Sequence, residues 1–337
     1  MNAFMAIGEN IHCSRTLKID GGLVTTQEDG TQAILFSDDN GRHALPVPSE
    51  ATEFEEWTKG KKVKHTAVAI KQGMDGDDAV KPIALAYLRQ MAAAQAGSGA
   101  AFLDINVDEY STNPAEKARA MQWVVRVIQD ACAVPLSIDS SELDLLNVGL
   151  DACGAARAKM VNSVSLERQA AIQVARDAGA VVIAGATGGE TMPTTIEERL
   201  RNFDQLIPQL RAAGFDDAEI YLDPLVFPVS VDTSNGKKVL DTIAQLRRKY
   251  GQNIHIAPGL SNISFGAPNR KLLNAVFTYL CVENGCDAGI VDPRHINANA
   301  LSALDMNSEG FRLAKAFLLG EDQFGMNYIR AARKGLI

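Results

Sequence analysis

Cysteine is scarce in this 337-residue chain: there are five (Cys13, Cys132, Cys153, Cys281, Cys286), an odd number scattered along its length. That excludes a disulfide-stapled scaffold and fits reduced thiols in a cytoplasmic protein. Long apolar runs are also missing. A stretch such as residues 180–186 falls far short of the roughly 20 residues that a membrane-crossing helix needs, so no membrane partner is expected. The opening segment MNAFMAIGEN has no basic start and no long apolar core, and no secretory signal is read from it. Positive charge is in deficit: 33 Lys+Arg against 41 Asp+Glu leave a formal net charge of −8. A general nucleic-acid binder needs a basic surface, so that class is excluded too. There is no Gly-x-Gly-x-x-Gly and no Walker motif. The five histidines (His12, His43, His65, His255, His295) are dispersed. Cys281-x4-Cys286 stands without companions, so no bound metal is expected. No nucleophilic triad can be assembled.

What is present is ordinary globular usage, 46% hydrophobic and 22% charged, arranged as an alternation. Short apolar segments at 6–11, 102–107, 136–139, 160–164, 181–186, 220–223, 255–260 and 288–291 read as eight strands. They lack in/out alternation, as parallel strands covered on both faces do. From the second to the eighth they recur about every 30 residues, the size of a strand–helix unit. Helix signals fill the gaps. Asn113-Pro114 supplies a cap and a first-turn proline for a helix running to 131. Further helices are read over 78–96, 141–153, 165–178, 195–213, 237–250, 269–284 and 299–319. Gly154, Gly179 and Gly214 stand at helix ends, and Glu197 and Glu198 lie in a first turn, where they suit the helix dipole. The fold class predicted is α/β, a (β/α)8 TIM barrel, forming a single domain over 1–337.

One connection is out of scale. About 65 residues separate strand 1 from the first barrel helix, where 2–6 are usual. Within residues 20–76, short strands are read at 23–26, 31–36 and 43–47, with turn chemistry at Gly30 and at Asp38-Asp39-Asn40-Gly41. A further strand is read at 63–70. This β-rich insertion follows a strand, so it should emerge on the active-site face of a barrel. A decorative surface loop is an equally good reading.

The strongest signal is where polar residues fall. The strand ends carry Glu9-Asn10, Asp104 and Asn106, Asp139-Ser140-Ser141, Asn162-Ser163, Thr187, Asp223-Pro224, Ser261-Asn262 and Asp292. For Ser140, Ser141 and Ser165 helix capping is the favoured explanation. Capping does not explain Asp104 and Asn106, which sit inside an apolar strand where an unpaired carboxylate is costly. Lys and Arg are absent from strands 1 to 7 as read, which disfavours phosphoryl transfer. Carboxylates and amides suit an aminopyrimidine ring. A carboxylate accepts from a ring N–H and an exocyclic amine together, and an amide both donates and accepts.

The ordered motifs LDINVDE, SIDSS, MVNSVS, LDPLVFPVS and GLSNISFGAPNR resemble the pterin-binding methyltransferases. These are the methyltetrahydrofolate:corrinoid methyltransferases and the folate-binding module of cobalamin-dependent methionine synthase. The resemblance spans strands 2 to 7 well, strands 1 and 8 loosely and the 20–76 insertion not at all. It implies a barrel that binds tetrahydrofolate or 5-methyltetrahydrofolate as substrate. Asp104, Asn162 and Asp223 would hydrogen-bond the pterin, with Asn106 and Ser261 beside them and Asp139 in support. Asn262 corresponds to the family's asparagine near pterin N5, the catalytic position. Arg270 would meet the benzoyl-glutamate tail, or is a surface arginine at a helix start. Glu9 is carried over from a departing motif: Gly8-Glu9-Asn10-Ile11-His12 stands where the family often shows Gly-Glu-Arg-x-Asn. Strand 8 reads IVDPRH, and Arg294 and His295 have no family counterpart. No cobalamin signature and no zinc-thiolate site occur, so the resemblance implies cobalamin on a separate corrinoid-binding protein, and a homodimer. Dihydropteroate synthase shares the outline, but its strand-1 Asn-Val-Thr-Pro-Asp-Ser-Phe loop, Gly-Phe-Gly-Lys and Ser-Arg-Lys segments are missing. A non-catalytic pterin-binding scaffold is the reading from another class.

Overall fold

Asn113 and Pro114 start their helix as the sequence predicts. The Asn113 Oδ1 accepts from the Ala115 N–H at 2.9 Å, and Pro114 opens Pro114–Ala131. Thr195 and Glu198 form a reciprocal capping box for Ile196–Ala212. Gly179 (φ 62°) and Gly214 (φ 90°) take the left-handed backbone that ends two helices. The computed structural model describes residues 4–154, 158–189 and 191–337.

Among these residues eight strands form one sheet: β1 (Met5–His12), β2 (Ala100–Asn106), β3 (Leu136–Asp139), β4 (Lys159–Val164), β5 (Val181–Gly185), β6 (Ile220–Asp223), β7 (His255–Ile256) and β8 (Ala288–Val291). Their order is β7-β6-β5-β4-β3-β2-β1-β8. Every described pairing is parallel, from Met5 opposite Ala288 to Asn106 opposite Asp139. The Ile290 N–H donates to the Pro258 carbonyl at 3.0 Å, and Gly259 bridges Ile290 just past β7. With helices between the strands this is a (β/α)8 TIM barrel. Ile7, Leu103, Ile138, Val161, Ile183, Leu222 and Ile256 are buried, as strands covered on both faces require. Among the described residues no helix is long and apolar enough to cross a membrane.

The chain falls into two compact units. One comprises Met1–Gly8, Ser98–Ala101 and Met160–Ile337; the other comprises Glu9–Gly97 and Phe102–Lys159. The second holds the insertion. Val24–Thr26, Gln32–Asp38 and Gly41–Pro46 make an antiparallel three-stranded sheet, close to the ranges read from sequence. Gly41 (φ 125°) turns the second hairpin. Ile34 and Leu45 are buried, and Phe36 meets Tyr87 of Val80–Gly97 edge-on at 5.0 Å.

Five expectations are corrected. The strand read at 63–70 is only Lys62–Lys64, pairing with Thr16–Lys18, and the helix His65–Asp75 takes the rest. The helix read over 299–319 is two, Ala298–Ser302 and Glu309–Leu318, because Ser308 caps a new start by accepting from the Phe311 N–H. The helix read from 165 begins at Ala170, so Ser165 is not its cap. Strand 7 stops at Ile256, and Leu260–Ser264 is a helical turn. Finally, β4 begins at Lys159, so a lysine does lie in a strand, at the end opposite Asn162 and Ser163.

Close packing in the first unit gives a stability prediction. A Cβ on Gly236, in the first turn of Asn235–Tyr250, would run into the Leu318 carbonyl oxygen, a backbone atom that cannot step aside. Gly236→Ala should lower unfolding stability by about 1–3 kcal/mol, the usual cost of overpacking, read as a fall in denaturant midpoint. An unchanged midpoint would show that the two segments separate freely.

Candidate active site

Each unit carries its own cluster at strand C-termini. In the second unit, Asp104 and Asn106 of β2 are 3% and 6% exposed. The register sets Asn106 opposite Asp139 of β3. Desolvation first, then the negative charge of Asp104, push the Asp139 carboxyl well above the usual carboxylate range. Asp139 hydrogen-bonds Asp104, and the Asn106 amide binds it as well. Two carboxyls this close share one proton. When Asp139 holds it, Asp104 is the accepting partner.

His12, at the end of β1, faces this pair. Its Nδ1 accepts from the Ser14 N–H at 3.1 Å and meets the Ser14 Oγ at 2.7 Å. The backbone bond fixes the hydrogen on Nε2, which lies 4.0 Å from Asp139 Oδ2. Burial holds the His12 pKa below its ordinary value. Glu9 is held by Arg15, whose Nη2 lies 2.6 Å from Oε1. The Arg15 cation, three residues past β1, was not singled out in the sequence.

Asp108 was missed as well. Its Oδ1 accepts from the Ser140 hydroxyl at 2.6 Å, and its Oδ2 from the Ser141 N–H and hydroxyl at 2.8 Å each. Ser140 also accepts from the Glu142 N–H. The N-cap of Leu143–Ala152 is Glu142, without a side-chain cap bond. Ser140 and Ser141 therefore fasten the loop after β2 to the loop after β3, which is more than capping. The signal was legible: a carboxylate two residues past a strand, facing a Ser-Ser pair.

In the first unit, Asn162 lies in β4 and Asp223 ends β6. The Asp223 Oδ1 accepts from the Leu225 N–H at 2.9 Å, and the Gly259 N–H also binds this carboxylate. Leu225 takes a left-handed backbone (φ 62°) in the turn that brings its N–H back. Burial raises the Asp223 pKa to about 6 against these bonds and a positive charge from Arg199.

Ser261 and Asn262 sit in the turn Leu260–Ser264, not on a strand. This turn is tied to the segment after β6, since the Val229 N–H donates to the Ile263 carbonyl at 3.0 Å. Arg270 braces it: Nε donates to Ser264 Oγ and Nη2 to the Ser261 carbonyl, each at 3.0 Å, and the guanidinium stacks on Phe265 at 4.3 Å. Arg270 is an exposed residue at a helix start, as one reading had it, with its guanidinium committed to this turn. The Asn262 side chain is exposed and has no hydrogen-bond partner among the described residues. Its amide lies over Gly259, where a Cβ would stand 3.1 Å from Nδ2. Past β8, Asp292 is paired by Arg294 at 2.7 Å.

Comparison with known proteins places this arrangement. The model of a family described as pterin binding enzyme matches residues 78–292, beginning just after the insertion. The methylcorrinoid:tetrahydrofolate methyltransferase of Eubacterium limosum is 28% identical over 283 residues, 82% of this chain and 96% of that protein. Methionine synthase of Mycobacterium leprae is 28% identical over 212 residues, 58% of this chain and 17% of that longer protein. Among solved structures, a dihydropteroate synthase of Coxiella burnetii in complex with pteroic acid superposes with a TM-score of 0.51 at 18% identity, covering 69% of this chain and 86% of that one. That last likeness is one of fold. With the family model matching well over half of its length, the chain belongs to the pterin binding enzyme family.

Proposed function

We propose that this chain is a methyltransferase that moves a methyl group between N5 of methyltetrahydrofolate and the cobalt of a corrinoid carried by a separate protein. The observation that carries this reading is the relative named for that reaction, which matches nearly end to end. The strand-end chemistry agrees with it. Asp104 and Asp223 are ionisable acceptors for the ring N–H and exocyclic amine of a pterin, Asn162 both donates and accepts, Asn106 and Ser261 are further pterin contacts, and Asp139 supports Asp104. Glu9, held by Arg15, and Arg270, bound to the Asn262 turn, are proposed as further folate contacts, Arg270 toward the benzoyl-glutamate tail. The whole chain acts as one pterin-binding domain in this reading, with 20–76 inserted. A cytoplasmic homodimer completes the proposal, on the strength of the resemblance.

Transfer from N5 requires a proton on that nitrogen, because a neutral tertiary amine activates its methyl group poorly. The Asn262 amide is too weak an acid to supply it. Its rotatable oxygen stabilises the protonated amine, and the proton comes from water. The corrinoid is the co-substrate, whose cobalt accepts or donates the methyl group.

The test is a visible-absorbance assay with free cobalamin, run from methyltetrahydrofolate to Co(I) and from methylcobalamin to tetrahydrofolate. Turnover in at least one direction is expected. Folate binding without turnover, with several corrinoid proteins tried, would favour a scaffold.

The insertion is proposed as the docking or lid element for the corrinoid protein. Its unit holds a cleft of about 850 Å³ lined by Phe54, Val63, Met74 and Tyr110 among others. Phe54 is 61% and Leu23 50% exposed. Replacing both with Ser should slow transfer to protein-bound corrinoid by about tenfold, the effect of one interface anchor. Folate affinity and transfer to free cobalamin should hold. Equal losses in all three would sink the idea.

A further inference from the structure

Arg199, the fourth residue of Ile196–Ala212, is completely buried, and none of its three guanidinium nitrogens has a hydrogen-bond partner among the described residues. A guanidinium carries five donors and stays charged. Leaving it unpaired in the interior destabilises the fold. The Phe227 ring, 5.6 Å from its centre, offers only a face. Two carboxylates act on it, Asp223 and Glu198. Glu198 is committed to the helix start, accepting from the Thr194 and Thr195 N–H groups at 2.7 and 3.0 Å. Asp223 is the carboxylate left to answer the charge.

We propose that Arg199 is a positioning residue whose buried, offset guanidinium keeps Asp223 an ionised acceptor for the pterin ring. The offset is the point. A direct salt bridge would occupy the carboxylate oxygens, whereas a cation acting through space favours the charged form and leaves the lone pairs to the ligand. The other groups facing Asp223 act differently. The Leu225 and Gly259 N–H groups also favour the charged form, but they do so by occupying carboxylate lone pairs. The Cys286 thiol is kept protonated by burial. The inference rests on the pterin-binding reading and adds a residue outside the ligand's reach.

The test uses Arg199→Met and Arg199→Lys in the full chain. The Asp223 carboxyl is titrated by infrared difference spectroscopy in ligand-free protein, with its band assigned by Asp223→Asn. Its midpoint in the parent should lie near 6. Arg199→Met should move the midpoint up by about one pH unit or more. For a one-unit rise it should weaken methyltetrahydrofolate binding by about twofold at pH 7 and about fivefold at pH 6, with recovery at higher pH. Its thermal midpoint should be equal or higher, since an apolar chain of similar volume replaces an unpaired charge. Arg199→Lys should stay within about threefold of the parent. An unmoved Asp223 midpoint in folded Arg199→Met would overturn the proposal. Should Arg199→Met fail to fold, the loss shows a structural role and counts against it, unless Arg199→Gln folds and shows the shift. Parent protein that binds no folate at any pH, with the midpoint shift intact, would refute the pterin reading and leave the electrostatic coupling standing.

Discussion

Asn262→Ala should slow methyl transfer by about 100-fold or more while folate affinity changes less than about threefold. The magnitude is that of removing one preorganised group aimed at charge that develops in the transition state. The separation of rate from affinity follows from the geometry. Asn262 stands in the turn Leu260–Ser264, whereas Asn162 and Asp223 of the same unit lie on strands. The turn itself is braced by Arg270 and by the Val229–Ile263 bond, so an alanine there leaves the backbone in place. The Asn262 amide has no partner to break among the described residues, so its loss orphans none of them. Single-turnover rates against equilibrium folate binding read the two effects apart. Affinity lost in proportion to rate would make Asn262 a binding residue instead.

Asp104→Asn should weaken methyltetrahydrofolate binding by about 100-fold, whereas Asp139→Asn should change it by less than about fivefold. Charge-assisted hydrogen bonds contribute about 1.5–3 kcal/mol each, and Asp104 is the acceptor that would receive two. An amide in its place turns a donor toward pterin donors. Asp139 is different because its pKa is raised well above normal. The folded protein holds this proton to a higher pH than the free carboxyl would, and asparagine imitates the neutral, donating group. The linkage sign follows. The unfolded chain ionises Asp139 near 4, while the folded chain binds its proton to a higher pH. Folded stability therefore falls as pH rises from about 4 through the folded pKa. Asp139→Asn removes that loss, so the variant should be as stable as the parent or more so at neutral pH, and by less at pH 4. Denaturant unfolding at the two pH values checks this. An Asp139→Asn protein with folate binding as poor as Asp104→Asn would place the charge on Asp139.

The barrel was legible because its strands are continuous apolar segments at regular spacing, a local signal. Capping at Asn113 and Thr195 was legible for the same reason. The strand read at 63–70 failed because Val63–Ile70 is apolar enough for either element, and only pairing with Thr16–Lys18 ends it at Lys64. The break in 299–319 hides in Asp305–Ser308, where Ser308 restarts a helix whose pattern alone looks continuous. At the site, residue identities were legible and their pairings were not. Nothing local in Arg15 points to Glu9, and nothing in Ser140 points to Asp108, 32 positions away. Arg199 sits in IEERLR, which reads as a solvated helix start, yet it is completely buried. Such contacts are made by the fold, and periodicity carries no record of them.

The most direct measurement of the central claim is single-turnover transfer with 5-methyltetrahydrofolate carrying a carbon-13 methyl group, followed by NMR in the presence of Co(I) cobalamin. The label is expected on cobalt in a one-to-one ratio with tetrahydrofolate formed, at a rate that Asn262→Ala cuts by about 100-fold. Label that stays on N5 while the folate is demonstrably bound, with the reverse transfer from methylcobalamin equally silent, would contradict it.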